Sequence, residues 1–225
     1  MHQPKALIVW GGWEGHQPQE VAEVFASDLT KQGFAVEMAN TLDAFLGIPQ
    51  ATDLALIVPI WTMGTITPEQ LQPVLDAVRN GVGLAGCHGG MCDAFRNETE
   101  WHFMTGGQWV SHPGNDGVKY TVQFLDLDHE ITSGMKDFEV CSEQYYLHVD
   151  PGNKVLATTR FPVADGPHVP NGETHVPVSW TKLYGKGRVF YCSLGHQADI
   201  VAMPEVSELM TRGFLWAARQ PLKRA

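Results

Sequence analysis

The fold is decided by the stretch Gly83-Leu84-Ala85-Gly86-Cys87-His88-Gly89-Gly90, a short apolar run that ends in a glycine-framed turn. Hydrolases that hold a nucleophile on a sharp strand-to-helix turn use the pattern G-x-Nu-x-G, with Ser or Cys at its centre. In this chain His88 stands at that centre, and Cys87 falls one position earlier, at the end of the strand. The stretch therefore predicts an elbow that presents an imidazole, which suits metal ligation or proton transfer rather than an acyl-enzyme.

Upstream of the elbow, apolar strands alternate with helices. Strands are predicted at 5–10, 34–38, 54–59 and 82–87, and helices at 17–32 and from 67 to about 79. Thr67 followed by Pro68 is typical of a helix start, because the hydroxyl caps free amides and proline fits the first turn. Alternation with short connections is typical of a parallel sheet covered by helices on both faces. We therefore expect an α/β fold with a doubly wound, mostly parallel sheet.

Downstream of the elbow the pattern changes to consecutive strands. They are predicted at 118–124, 137–147, 154–159, 176–183 and 187–193, followed by a closing helix at 205–219. Period-2 alternation in several of these runs is typical of half-buried strands. We expect 188–192 and the region of Val155 to rejoin the main sheet, and the rest to form an antiparallel extension. Because no repeat or linker interrupts the pattern, residues 1–225 are expected to form one domain.

Composition argues against several classes of protein. The 225 residues carry a net charge of −10, which argues against a nucleic-acid partner because phosphate binding needs a basic face. No apolar run is long enough to span a bilayer, and no signal peptide is recognised. The four cysteines form no C-x-x-C pair and are expected to be reduced thiols of a cytoplasmic protein. No membrane partner is expected, and a homo-oligomer is left open.

Three histidines follow predicted strands of the sheet. They are His16, His88 and His196. Ligands of open α/β sheets bind outside the carboxyl ends of the strands, so we expect these imidazoles to meet at one edge. His112, in a loop rich in Trp and Gly, and Glu143 are expected to close the site, since a carboxylate within an apolar strand is costly unless paired. The alternative for each lone loop histidine is an ordinary surface position.

These side chains suit two kinds of chemistry. His88, His196, Glu143 and His16 are candidate catalytic residues, because imidazole transfers protons near neutral pH. His16, His88, His112 and His196 are equally candidate ligands of zinc or another divalent transition metal. No local zinc signature such as H-E-x-x-H is present, so a metal site must be assembled from distant loops. A third alternative makes Cys87 a nucleophile with His196 as its base, although Cys87 lies off the elbow centre and an inert buried thiol is favoured.

Aromatic residues in glycine-rich loops favour a sugar as the small-molecule ligand. The chain has seven tryptophans and ten histidines, and both residue types are frequent in sugar-binding sites. The side chains expected to stack on sugar faces are Trp13, Trp61, Trp109 and Tyr145. His129, by contrast, is expected to form a turn before a strand.

Blocks of sequence spread along the chain carry a family resemblance. They are residues 6–16, 86–90, 107–113, 129–134, 177–181 and 184–196. Taken together, these blocks resemble the trehalose-utilisation (ThuA-like) family nearly from end to end. The resemblance implies a flavodoxin-like core similar to that of class I glutamine amidotransferases, with a histidine cluster in place of their Cys-His-Glu triad. It also implies a role in sugar catabolism, where the family is linked to disaccharide breakdown through 3-keto sugars.

The leading hypothesis is an enzyme that acts on a disaccharide or keto-sugar by His/Glu acid–base or metal-assisted chemistry. Such an enzyme would be a keto-sugar isomerase, a lyase or a hydrolase. One alternative is a non-catalytic sugar-binding or regulatory module that keeps the fold. The second alternative is an amidotransferase-like hydrolase that uses Cys87, against which His88 at the elbow centre argues.

Overall fold

Apolar runs of the first half form parallel strands at the centre of the sheet. In the computed structural model, which describes residues 3–222, these strands are β1 (Lys5–Gly12), β2 (Ala35–Ala39), β3 (Leu54–Thr62) and β4 (Gly83–Cys87). They lie parallel in the order β2-β1-β3-β4. β1 and β3 are buried on both faces along most of their length, which explains why their sequences do not alternate in polarity.

Two separate apolar cores lie on opposite faces of this sheet. Along β1, Ala6 and Ile8 belong to one core, and Leu7 and Val9 belong to the other, because successive side chains of a strand point to opposite faces. The first core includes α1 (Pro18–Lys31) and α6 (Pro204–Ala217), and the second includes α2 (Pro68–Asn80) and α4 (Thr99–Thr105). The sheet is therefore covered on both faces, as predicted. Within residues 3–222, no helix is long and apolar enough to cross a membrane.

The second half of the chain extends the sheet with antiparallel strands. The remaining strands are β5 (Gly107–Ser111), β6 (Val118–Phe124), β7 (Phe138–Ser142), β8 (Tyr146–Val149), β9 (Lys154–Phe161), β10 (Thr174–Tyr184) and β11 (Gly187–Cys192). β11 pairs parallel with β4, and β10, β9, β6 and β7 follow it in antiparallel order to the far edge. This is the α/β fold that the sequence predicts, with the expected antiparallel extension.

The prediction of one strand over 137–147 is wrong. The run is broken at 143–145, and its second part, β8, pairs with β5 in a separate two-stranded sheet. Polar side-chain contacts explain the break. Tyr120 Oη donates to the carbonyl of Glu143, and the Gln144 amide donates to Thr159 Oγ1 and to the carbonyl of Arg160. These contacts hold the segment out of the ladder and leave Glu143 at the end of β7.

The elbow has the predicted strand–turn–helix form. β4 ends at Cys87, and His88 begins the short helix α3 (His88–Cys92) with a left-handed φ of 47°. A Cβ atom on Gly89 would lie 2.7 Å from the His16 ring, and one on Gly90 would lie 2.8 Å from the Ile60 backbone. The two glycines therefore let the elbow approach β3 and the loop after β1.

We predict that Gly213→Ala destabilises the protein. An alanine Cβ would lie 2.1 Å from the fully buried Phe190 ring, where α6 crosses β11. Helix propensity favours alanine over glycine by about 1 kcal/mol, but overpacking a core costs about 1–3 kcal/mol, and the enclosed ring has no room to move. Urea unfolding should show a net loss of stability. Gly47→Ala is the matched control, since nothing lies within 4 Å of its Cβ, and a change no larger than that control would contradict the packing argument.

Candidate functional site

The ends of four strands converge on one edge of the sheet. His16 closes a short 3-10 helix after β1, His88 follows β4, and His196 lies in the loop after β11. Glu143 follows β7. Four antiparallel pairings separate β7 from β11 in the sheet, and because this number is even, the two strands run in the same direction. The predicted meeting of the three loops is confirmed.

The three imidazoles lie in direct contact with one another. Ring centroids are 4.7 Å apart for His16 and His88, 5.2 Å for His16 and His196, and 5.7 Å for His88 and His196. One carboxylate oxygen, Oε2 of Glu143, faces all three rings, at 3.1 Å from His88 Nε2, 3.4 Å from His196 Nδ1 and 4.0 Å from His16 Nε2. All four side chains are buried. We call these four residues the His/Glu cluster.

The orientation of His88 is fixed by a backbone carbonyl. Its Nδ1 lies 2.7 Å from the carbonyl oxygen of Ser193. A carbonyl only accepts hydrogen bonds, so Nδ1 carries the proton and the Nε2 of a neutral ring has only a lone pair. That lone pair faces Glu143 Oε2 at 3.1 Å, and two acceptors at this distance need a proton or a cation between them.

The other two rings also direct a nitrogen into the cluster. His16 Nδ1 pairs with Thr62 Oγ1 at 2.8 Å, which leaves Nε2 for the centre. His196 Nδ1 is buried at the centre without a hydrogen-bond partner. Buried polar atoms are rarely left unpaired. One nitrogen from each ring is thus available to a central cation.

The donor set fits a divalent transition metal. Ligand atoms of His16, His88, Glu143 and His196 all lie within 4.8 Å of one another. His112, also predicted as a ligand, lies outside this group, with Nδ1 at 3.7 Å from the other carboxylate oxygen, Oε1. Its side chain is 27% exposed, against 9% or less for the three rings of the cluster. The geometry therefore separates His112, at the open side, from the enclosed four.

The electrostatics of the cluster favour neutral His16 and His88 beside an ionised Glu143 carboxylate, whereas the carboxylate favours the charged form of His196. Burial, reinforced by His88, lowers the pKa of His16 to about 3. Burial also lowers the pKa of His88, although Glu143 opposes this. Burial raises the pKa of Glu143, but its contacts with His196 and His88 outweigh that effect and bring the pKa below its ordinary value. Glu143 raises the pKa of His196 against burial. An ionised carboxylate and neutral imidazoles are the forms that bind metal.

The predicted aromatic residues surround the cluster in different ways. Trp13 is 47% exposed, and its ring meets the His16 ring edge-on at 4.7 Å. Trp109 is half-buried beside His112, at 5.4 Å between ring centroids. Trp61 is half-buried, and its ring fills the space that a Cβ atom at Gly11 or Gly64 would need. Tyr145 differs from expectation, because its buried ring stacks on His88 at 3.8 Å and so supports that imidazole instead of offering a face to a ligand.

Cys87 does not have the environment of a nucleophile. Its side chain is buried, and burial with the neighbouring Cys192 raises the pKa of the thiol well above its ordinary range. Reactive cysteines are thiolates in partly exposed, electropositive surroundings. The structure therefore argues against the thiol hydrolase alternative.

Sequence reasoning missed Thr62 and Ser193 as partners of the site. Thr62 was missed because the strand was predicted to end at residue 59. The strand continues to residue 62, so the Thr62 hydroxyl lies at the same edge of the sheet as the cluster. A longer apolar strand, including Ile60 and Trp61, was the available signal. Ser193 contributes its backbone carbonyl, which no side-chain pattern reveals.

The fold and the site define an α/β protein whose elbow presents a histidine to a buried His/Glu cluster. The chain belongs to the ThuA family, described as trehalose utilisation, whose model matches residues 5–217. A comparison with curated proteins finds no match.

Solved structures share this fold at low sequence identity. A ThuA-like protein from Parabacteroides merdae ATCC 43184 has a TM-score of 0.78 at 18% identity, over 100% of this chain and 93% of that one. A ThuA-like protein from Bacteroides uniformis ATCC 8492 has a TM-score of 0.77 at 16% identity, over 96% and 91%. A cytoplasmic protein from Salmonella typhimurium LT2 has a TM-score of 0.60 at 14% identity, over 96% and 97%. At these identities the likeness concerns the fold.

We predict that the metal-free protein loses stability in acid and that His16 contributes to the loss. The pKa of His16 falls from 6.5 to about 3 on folding, so between these values the unfolded chain binds a proton that the folded chain does not. Stability then rises with pH, with a slope of about 1.4 kcal/mol per pH unit for one proton. His196, whose pKa is raised, acts in the opposite sense, because its contribution is lost as pH rises.

The measurement is urea unfolding of chelator-treated protein at a series of pH values below neutrality. His16→Gln should reduce the slope of stability against pH by about 1.4 kcal/mol per pH unit over this range, which is the effect of one proton. His175→Gln, at an exposed position of β10, is the control and should keep the wild-type slope. Equal slopes in His16→Gln and wild type would contradict the assignment.

Proposed function

We propose that the protein is a cytoplasmic enzyme of sugar catabolism that acts on a disaccharide or keto-sugar at the His/Glu cluster, with zinc or another divalent transition metal held there. The observation that carries the proposal is the 3.1 Å approach of His88 Nε2 to Glu143 Oε2, with Nδ1 already committed to a carbonyl. Membership of the trehalose-utilisation family supports a sugar as substrate. Free cysteines and a structural neighbour named as cytoplasmic support the location.

The chain's own residues supply both the ligands and their supports. Imidazole nitrogens and carboxylate oxygens are among the donors that bind zinc in proteins. Thr62 and the Ser193 carbonyl hold the far nitrogens of two rings, as the outer partners of metal-binding histidines do. A metal bound there would polarise a carbonyl oxygen of the substrate or lower the pKa of a bound water.

Proton transfer is assigned to side chains at the open side of the cluster. The C–H bond beside a keto group is acidic, and an imidazole can take that proton while the electron pair moves towards the keto oxygen. His112 is suited to this role, because it is partly exposed and lies 3.7 Å from Glu143 Oε1. Return of the proton from the imidazole to the former keto carbon, with the proton of the adjacent hydroxyl moving to the former keto oxygen, gives isomerisation. Departure of the glycosidic oxygen from the carbon next to the deprotonated one, with the imidazole returning its proton to that oxygen, gives elimination. Both outcomes use the same first step.

Aromatic side chains at the rim would orient the sugar. Trp13 keeps nearly half of its surface exposed beside His16, and aromatic rings bind the apolar faces of sugars. Trp109 lies beside His112, with the Arg96 guanidinium over its ring. A sugar bound against Trp13 would lie beside His16, and one bound against Trp109 would lie beside His112.

We predict that His88→Ala loses both the metal and catalysis. Elemental analysis of untagged wild-type protein should find about one transition metal per chain, as expected for a site of this donor set. Turnover of a 3-keto disaccharide should fall about 10²-fold or more in His88→Ala. His175→Ala, at an exposed position of β10, should keep both properties. Wild-type protein with far less than stoichiometric metal, and no stabilisation by added zinc, would remove the metal from the proposal.

The same variant separates an enzyme from a sugar-binding module. If the protein is a module that binds without catalysis, the wild type should have no turnover. The His88→Ala variant should then still be stabilised by trehalose or its keto derivative in thermal melts. An enzyme should show wild-type turnover that His88→Ala abolishes.

We predict that Cys87→Ala keeps turnover near the wild-type level. The thiol is buried and its pKa is raised, so little thiolate is present near neutral pH. Some stability should be lost, because the substitution leaves a small cavity. Steady-state kinetics of folded Cys87→Ala give the result, and loss of turnover on the scale of His88→Ala would restore the thiol hydrolase.

A further inference from the structure

Each imidazole of the His/Glu cluster has one nitrogen directed inward and one directed at a polar group. The outward nitrogen of His16 meets Thr62, and that of His88 meets the Ser193 carbonyl. For His196 the inward atom is Nδ1, and the outward atom, Nε2, lies 3.9 Å from Oδ2 of Asp116. Asp116 thus occupies for His196 the place that Thr62 and Ser193 occupy for the other two rings.

The carboxylate of Asp116 is held with one oxygen free for this contact. Its Oδ1 accepts the backbone N–H of Gly117 at 2.9 Å, and Oδ2 is directed at His196. Asp116 lies in the loop between β5 and β6, which also carries His112 to within 3.7 Å of Glu143. One loop therefore contacts the cluster at two points.

The Asp116 contact differs from the other two in its setting. Thr62 and Ser193 are buried at strand ends, whereas the Asp116 side chain is 56% exposed and the His196 side chain 9%. The 3.9 Å separation is that of an ion pair, and a shift of about 1 Å in the exposed carboxylate would make it a hydrogen bond. The hydrogen bond made by one ring nitrogen of a histidine decides which of the two nitrogens carries the proton and which can bind a metal.

We propose that Asp116 is a positioning residue for the cluster: its carboxylate accepts the Nε2–H of His196 and so leaves the lone pair of that ring on Nδ1, directed at the metal position. The assignment rests on the proposed function of the cluster as a metal centre. Carboxylate or carbonyl partners of metal-binding histidines fix the tautomer and the ring orientation, and their loss costs about 10–100-fold in metal affinity or activity. Asp116 would act through His196 and need not touch the substrate.

A matched control is available beside the same ring. Asp199 also places negative charge near His196, but its Oδ1 accepts the backbone N–H of Ile200 at 2.8 Å in the first turn of α5 (Ala198–Val201). Asp199→Asn removes a charge near the imidazole without removing the Asp116 contact. Asp116→Asn keeps an oxygen acceptor and removes only the charge. The pair separates a charge effect from a hydrogen-bond effect.

The first measurement is the tautomer of His196 in metal-free protein, read from the nitrogen chemical shifts of the ring at alkaline pH, where the imidazoles are neutral. Glu143 Oε2 lies 3.4 Å from Nδ1 and competes for the ring proton, so wild type, Asp116→Asn and Asp199→Asn should show more of the Nε2–H tautomer than Asp116→Ala does. Substitution on an exposed loop is expected to change stability by less than about 0.5 kcal/mol, so the variants should fold. An unchanged His196 tautomer in Asp116→Ala would overturn the assignment.

The second measurement is zinc affinity by competition with a chelator. Asp116→Ala should bind zinc about 10–100-fold more weakly than wild type, with Asp199→Asn near wild type. Equal zinc affinity in Asp116→Ala and wild type overturns the positioning role and leaves the metal centre intact. A wild-type protein that binds no zinc removes the metal centre, and in that case the tautomer measurement still decides whether Asp116 sets the proton of His196.

Discussion

The contacts between the buried Glu143 carboxylate and three imidazoles are the interaction on which the candidate site depends. Removing an ion from water costs several kcal/mol unless nearby groups compensate it, and at Glu143 the compensation comes from residues on three other strand ends. Those residues are in place only when β1, β4, β11 and β7 all end at the same edge. The ionised form of Glu143 therefore depends on the arrangement of the sheet.

The elbow shows how a known backbone arrangement can serve a different chemistry. In hydrolases the strained residue after the strand exposes a nucleophile. Here the same position, with its left-handed φ, holds an imidazole whose Nδ1 is fixed by the Ser193 carbonyl and whose face is stacked by Tyr145. A ring held on two sides can direct its remaining nitrogen but cannot swing out to attack a substrate. The support around His88 suits a ligand better than a nucleophile.

The sequence predicts what depends on local pattern and on the rules of parallel sheets. The apolar runs, the Thr67 cap and the glycine-framed elbow identify the parallel half, and the carboxyl-end rule brings His16, His88 and His196 together. What depends on long-range pairing was not predictable in the same way. The break at Glu143 is set by hydrogen bonds from Tyr120 and to Thr159, and alternation alone could not show it. Backbone partners such as the Ser193 carbonyl leave no trace in side-chain patterns.

The spacing of the cluster along the chain has a consequence for how the molecule comes apart. Its four members extend from residue 16 to residue 196, nearly the length of the polypeptide. An ion bound to all four would act as a cross-link that closes three large loops, and cross-links of long loops restrict the unfolded chain the most. Unfolding would then have to release the ion before the strand ends could separate. Loss of the ion would therefore remove a restraint that joins the first, middle and last parts of the chain.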